Sequence, residues 1–176
     1  MINFNSMETV HLKTIETPLG PMFACAVDQG ICLLEFTDRK NMEKQFKSLS
    51  KTLNAEITEQ EHPHFEQLEN ELKEYFGGKR DRFGVPLFTT GTEFQEKVWQ
   101  LLREIPMGEI RTYRQQSELL GNPKAIRAVG TANGINKIAI LIPCHRVIGS
   151  NGELVGYAGG IWRKQKLLEL EKAILF

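Results

Sequence analysis

Long apolar runs are missing from this chain of 176 residues. No stretch approaches the ~18–20 uninterrupted apolar residues that cross a bilayer as a helix, so no membrane partner is expected. Cysteine is scarce: Cys25, Cys32 and Cys144 are the only three, and no two have Cys-x-x-Cys spacing. An odd count without that spacing argues against a disulfide framework or a four-cysteine zinc site, and for a reducing, cytoplasmic setting. The start, Met1-Ile2-Asn3-Phe4-Asn5, has neither the basic cluster nor the apolar core of a secretory leader. Net charge is lacking too, with 22 Lys+Arg against 22 Asp+Glu. That balance hides an asymmetry. Residues 1–90 carry 10 basic and 14 acidic side chains, whereas residues 91–176 carry 12 and 8. The carboxyl-terminal half is the one suited to face phosphate, although an asymmetry of this size is common among neutral enzymes.

The remaining composition, 41% hydrophobic and 25% charged, is that of a folded globular chain. Its length suits one medium domain or two small ones. Residues 11–16, 21–27 and 31–36 are short apolar-rich runs broken by Thr17-Pro18-Leu19-Gly20 and Asp28-Gln29-Gly30, which predicts a β-meander. Helical spacing follows at residues 40–53 and 65–76, the second stopped by Gly77-Gly78. Residues 79–92 read as a linker. His62-Pro63-His64 is expected to be a solvated turn rather than a metal site.

The second half is dense in helix punctuation. Thr92-Glu93-Phe94-Gln95 and Thr112-Tyr113-Arg114-Gln115 are capping boxes, and Asn122-Pro123 predicts a third helix start running to Asn133-Gly134. Two short helices around a Gly-Asn-Pro turn, the second bearing Lys124 and Arg127, have the layout of a helix-turn-helix. Apart from Arg127, the second helix is rich in small residues: Ala125, Ala128, Gly130, Thr131 and Ala132. Such a helix fits closely against a nucleic-acid groove or against another helix, and spacing alone does not separate the two. With few long polar side chains it would read little base sequence.

Residues 138–142 form a continuous apolar run, predicted as a buried strand, that leads into Pro143-Cys144-His145-Arg146-Val147. A cysteine beside a histidine is either an activated nucleophile or an inert core residue. On an extended strand the two side chains would diverge, so His145 would reach Cys144 only through a bend or a water. Gly156-Tyr157-Ala158-Gly159-Gly160 then offers bare backbone amides to a ligand, and a predicted helix over 161–174 carries Glu171, a carboxylate able to orient His145.

Ile142-Pro143-Cys144-His145-Arg146-Val147, the following glycine loop and Glu171 together resemble the methylated-DNA–protein-cysteine methyltransferases, the O6-alkylguanine-DNA alkyltransferases. Arg111-Thr112-Tyr113, the run from Gly121 to Gly130, and Asn136 fit that family at the same offsets. The resemblance is strong over 91–176 and weaker over 8–36. It implies an α+β protein: a small amino-terminal α/β, ribonuclease-H-like domain over 1–88, then a mainly helical, winged-helix-like domain over 89–176.

The resemblance also implies roles. Cys144 would take the alkyl group in one in-line displacement, its sulfur ionised. His145, held by Glu171, would act as base through a water, Asn136 would fix the local turn, and Tyr113 would donate to the guanine ring. Arg127 would fill the gap left by a base flipped from double-stranded DNA, with Lys124, Ala128, Thr131 and Ser150 along the minor-groove contact. Tyr157, Ala158, Gly159, Val147, Asn133 and Lys164 would line the base pocket. Side-chain volume at Asn133, Ala139 and the glycine loop would set the largest alkyl group. The family reading implies no cofactor, a monomer, and a stoichiometric protein that reacts once, mainly with O6-methylguanine and with O4-methylthymine as a further substrate. Serine stands in some members where this chain has Ala158, leaving only a backbone donor there. The zinc ligands of some eukaryotic members do not match, so no metal is expected, and neither is the metal-cysteine sensor domain fused to some relatives. Two other classes fit parts of the sequence. They are a non-catalytic helix-turn-helix protein that recognises damaged DNA, and a Cys–His hydrolase.

Overall fold

A computed structural model describes residues 8–174; the opening stretch considered above for a leader lies outside them. The amino-terminal part is a four-stranded sheet in the order β3-β2-β1-β4. Strands β1 (Glu8–Ile15), β2 (Met22–Val27) and β3 (Gly30–Phe36) form the expected antiparallel meander. Helix α1 (Met42–Leu53) then crosses over, so that β4 (Ala55–Glu59) joins β1 in parallel. The sequence does not predict strand β4: Ala-Glu-Ile-Thr-Glu carries too few apolar residues to stand out, and only Ala55 of it is buried at the sheet edge. Helix α2 (Pro63–Phe76) buries Phe65, Leu68, Leu72 and Tyr75. His62-Pro63-His64 is not a free solvated turn. His62 caps α2 by accepting from the His64 amide, and its Nε2 meets Asp28 at 3.3 Å.

Residues 79–92 are not a loose linker either. The Ile31 amide donates to Pro86 O and the Phe88 amide to Ile31 O, both at 2.8 Å, so this segment covers part of the outer edge of β3. The remaining edge is covered from the other half of the chain. Leu34 donates to Lys137 O and Ala139 to Leu34 O, again at 2.8 Å. An exposed strand edge is an aggregation hazard, and here it serves as the seam between the two parts.

The carboxyl-terminal part is mainly helical: α3 (Glu93–Arg103), the two-residue strand β5 (Arg111–Thr112), α4 (Tyr113–Leu119), α5 (Ile126–Ile135), β6 (Val147–Ile148) parallel to β5, and α6 (Ile161–Leu170). Both capping boxes are formed, at Thr92/Gln95 and Thr112/Gln115, each worth about 1 kcal/mol of helix stability. The third predicted start is corrected. Helix α5 begins at Ile126 with no side-chain cap, because Asn122–Ala125 close a turn of their own through Ala125 N to Asn122 O. The predicted helix over 161–174 stops at Leu170, leaving Glu171 as its C-cap.

The predicted strand over 138–142 is likewise a correction. Only Ile138 bridges a strand, and the rest folds back on itself through Ile142 N to Ile138 O, with Ile140 at φ +71°. A β-branched residue there is strained. The run is apolar because core surrounds it on every side: all five residues are buried in one cluster with Met22, Leu34 and Phe36 of the sheet and Val98, Trp99 and Leu102 of α3. Among the described residues no helix is long and apolar enough to cross a membrane.

Candidate active site

The core loop delivers Cys144 into a single 3-10 turn, Cys144–Arg146. The backbone therefore bends where an extended strand would have sent Cys144 and His145 apart. Asn136, the C-cap of α5, holds the bend. Its Nδ2 donates to Ile142 O at 2.9 Å and to Cys144 Sγ at 3.3 Å, while its Oδ1 accepts from the Ile138 amide. Cys144 is half-buried.

The expected ionised sulfur is not what this surrounding produces at rest. Burial pushes the Cys144 thiol up, and the Glu35 carboxylate acts in the same sense. The Asn136 hydrogen bond and the charges of Lys164 and Arg39 pull it down without prevailing. Cys144 is thus a neutral thiol that needs a proton acceptor before it attacks.

His145 is fully buried and points away from solvent toward α6. Its Nε2 and Glu171 Oε1 lie 2.7 Å apart. Its Nδ1 is buried without a protein partner, and no direct hydrogen bond joins it to Cys144. Burial lowers the imidazole's affinity for a second proton, and Arg146 and Lys164 add to that, although Glu171 opposes them. A neutral imidazole is the form that accepts a proton.

Glu171 is held by more than histidine. Arg146 donates from Nε to Oε2 at 2.9 Å and from Nη2 to Oε1 at 2.8 Å, and its Nη1 reaches Ile105 O. The Tyr75 hydroxyl, from the sheet domain, donates to Oε1 at 2.7 Å. Burial alone would raise this carboxyl, but the His145 and Arg146 contacts hold it down at about 2. Sequence reasoning assigned no role to Arg146 or Tyr75. Arg146 sits inside the diagnostic quartet, whereas Tyr75 shows in the sequence only as one more apolar position of α2.

Lys164, expected to line the pocket with positive charge, is fully buried, and its Nζ ties Val147 O (2.5 Å) to Val155 O (2.9 Å), with Gly156 O at 3.5 Å. Burial lowers it to about 8, against a small opposing pull from Cys144. Tyr113, at the start of α4, donates to Val155 O at 3.1 Å, and burial and the nearby Cys144 push its phenol up to about 12. Lys164 and Tyr113 therefore hold the same backbone stretch that leads into the glycine loop. Tyr157 is half-buried with its hydroxyl buried and unpartnered, Ala158 is exposed, and Gly159 is buried. Val147 lies buried in β6, and Asn133 is buried in α5 with both amide atoms unpartnered. A groove of about 520 Å³ runs along Tyr157–Gly160 beside Asp38, Lys40 and Trp162, and Cys144 is not on its lining.

Arg127, Ala128 and Thr131 share the exposed face of α5. Lys124 in the preceding turn and Ser150 after β6 are exposed as well. The opposite face of α5, with Val129 and Ala132, packs into the core, where Trp99 Nε1 donates to Ala132 O. The small residues of α5 divide between the two faces: Ala132 packs inward, while Ala128 and Thr131 leave a low outer face.

A helix-turn-helix with a basic outer face, set over a hydrogen-bonded cysteine and a buried His-Glu-Arg cluster, defines a DNA-acting protein with a cysteine acceptor. Known proteins narrow that class. The model of the 6-O-methylguanine DNA methyltransferase DNA-binding domain matches residues 93–173, and that of the ribonuclease-like domain of the same proteins matches residues 10–89. A methylated-DNA–protein-cysteine methyltransferase of Methanosarcina acetivorans is 43% identical over 162 residues, 92% of this chain and 98% of that protein. The constitutive one of Bacillus subtilis is 41% identical, over 92% of this chain and 95% of its own. The Mycobacterium tuberculosis OGT structure solved in complex with DNA superposes with a TM-score of 0.79 at 40% identity, covering 93% of both chains. The chain belongs to the methylated-DNA–protein-cysteine methyltransferase family of DNA-repair alkyltransferases.

Proposed function

We propose that the protein draws O6-alkylguanine, chiefly O6-methylguanine, out of double-stranded DNA and transfers the alkyl group irreversibly to Cys144, once per molecule. The observation that carries this reading is the bent Cys144–Arg146 turn, which gives Cys144 a hydrogen-bonded sulfur and His145 a buried carboxylate partner.

The thiol proton passes through a water to His145 Nδ1, the buried nitrogen that lacks a protein partner. Glu171 stabilises the imidazolium that results, and Arg146 holds that carboxylate in place. Sulfur then attacks the alkyl carbon; the S–C bond forms as the C–O6 bond breaks, and the electron pair leaves with guanine. Tyr113 exchanges its bond to Val155 for one to the purine, so that the leaving base departs neutral. The amides of Ala158 and Gly159 donate to no backbone carbonyl among the described residues, which leaves them free to donate to the departing oxygen. Tyr157, Val147 and Asn133 complete the pocket, and Lys164 holds its wall. A thioether does not revert to a thiol under these conditions, which limits the protein to one reaction.

On the DNA side, α5 enters the minor groove as a monomer with Arg127 in the vacated stack, flanked by Lys124, Ala128, Thr131 and Ser150. Low outer side chains suit close approach and little sequence readout. The division of labour falls after residue 88, with the alkyl acceptor and DNA surface beyond it, and the setting is the cytoplasm.

The direct test is the intact mass of the protein after incubation with methylated duplex. A gain of one methyl in place of a proton, located on Cys144, is expected; an unchanged mass returns the non-catalytic helix-turn-helix reading. Arg127→Ala should slow alkyl uptake from duplex by about 10- to 100-fold, since flipping costs a few kcal/mol, while reaction with free O6-methylguanine base stays near the wild-type rate. Equal losses on both substrates would remove Arg127 from base flipping.

A further inference from the structure

Three donors converge on one oxygen of Glu171, and one of them comes from the other domain. Oε1 accepts from Arg146 Nη2 and from the Tyr75 hydroxyl, and it faces His145 Nε2, all within 2.8 Å. Tyr75 lies in the last turn of α2, 96 residues away in sequence, and is fully buried. Its ring is fixed by edge contact with Phe76 (5.2 Å between centroids) and by Phe83 (5.3 Å). A core position needs no hydroxyl, and a buried hydroxyl is tolerated only when it is partnered. This one is aimed at the single carboxylate that faces the proposed base.

We propose that Tyr75 is a positioning residue for alkyl transfer: its hydroxyl locks the Glu171 carboxylate against His145 and draws charge from Oε1, keeping the imidazole neutral and ready for the Cys144 proton. The inference rests on the reading of His145 as proton acceptor. The charged and titratable groups facing the His145–Glu171 pair are Arg146 from the 3-10 turn, Lys164 from α6 and Tyr75 from α2. Arg146 and Lys164 disfavour the imidazolium by charge. Tyr75 does so by weakening Glu171 as an acceptor, since each donor an oxygen already accepts lowers its basicity toward the next. Burial and the adjacent carboxylate push its phenol well above the usual tyrosine range, so it stays a donor wherever His145 titrates. The ribonuclease-like domain thus supplies part of the proton relay.

The test uses the full chain with Tyr75→Phe, which keeps the ring and removes the donor. Single-turnover alkyl uptake from methylated duplex is followed against pH, and the His145 imidazole is titrated by NMR. Expected are an upward move of about half to one pH unit in both the acid limb and the imidazole titration, and a several-fold slower reaction at neutral pH. A structural role alone would lower the unfolding temperature and leave both midpoints in place, which overturns the proposal. Should the Phe variant not fold, 2,3-difluorotyrosine at position 75 keeps the shape and strengthens the donor. Both midpoints should then move down, and unmoved midpoints again overturn it. A wild-type chain that takes up no alkyl group defeats the reading beneath, whereas the imidazole titration still reports on Tyr75 by itself.

Discussion

Cys144→Ser is expected to take up no alkyl label from methylated DNA, at any time of incubation, while binding the same duplex as the wild type does. Sulfur is required for two reasons. A serine hydroxyl is a far weaker acid than a thiol, and His145, whose proton affinity burial has already reduced, cannot deprotonate it. Oxygen also lacks the polarizability that makes sulfur effective at a saturated carbon. The exchange is otherwise mild, because the site is half-buried and Asn136 Nδ2 can donate to oxygen as it does to Sγ. Arg127, Ala128 and Thr131 sit on the outer face of α5 and are untouched. Gel-shift or anisotropy measurements beside a transfer assay separate the two properties. Residual labelling of the serine variant would move the acceptor to another residue. Cys25 and Cys32 are poor candidates, because burial, the chief cause, pushes the Cys25 thiol far above its usual range and raises Cys32 to about 12.

What was legible in the sequence was local chemistry. Thr92/Gln95 and Thr112/Gln115 could be read as caps because a capping box needs only residues three apart. The meander was legible because β2 and β3 are bounded by turn residues. Residues 138–142 misled because an unbroken apolar run has no period. Burial on all sides looks the same whether the chain is extended or doubled back, and only the partners of Leu34 and Ile138 decide. The same limit hid the second half of the relay. Cys144, His145 and Arg146 are contiguous and Glu171 lies at a family offset, so the resemblance carried them. Tyr75 meets Glu171 across the whole molecule, and nothing near it in sequence signals a polar duty. The charge state of Cys144 was also out of reach, since it depends on how closely the core surrounds the sulfur.

Glu171→Gln should be the most damaging substitution for stability and nearly as damaging for reaction. Glutamine keeps the volume but replaces one acceptor oxygen with a donor, whereas all the partners of Glu171 are donors: Tyr75, Arg146 twice, and the His145 nitrogen. An amide must turn its NH2 toward one of them. The buried Arg146 guanidinium loses its counter-charge, and breaking such a pair typically costs about 3–5 kcal/mol. Loss of the group that supports the base should slow alkyl uptake by about 10²- to 10⁴-fold. The pH dependence separates charge from shape. The folded-state value of about 2 lies below the ~4.3 of an unfolded glutamate. The contribution of Glu171 to stability is therefore complete above roughly pH 5 and is lost as pH falls toward 2. At full strength this amounts to about 3 kcal/mol. Denaturant unfolding of the wild type should accordingly show stability declining through that window. In Glu171→Gln the decline should shrink by about the same amount, because no proton is left to bind there. Equal acid sensitivity in the two proteins would mean that the carboxylate is not ionised in the fold, and that His145 is oriented by something other than its charge.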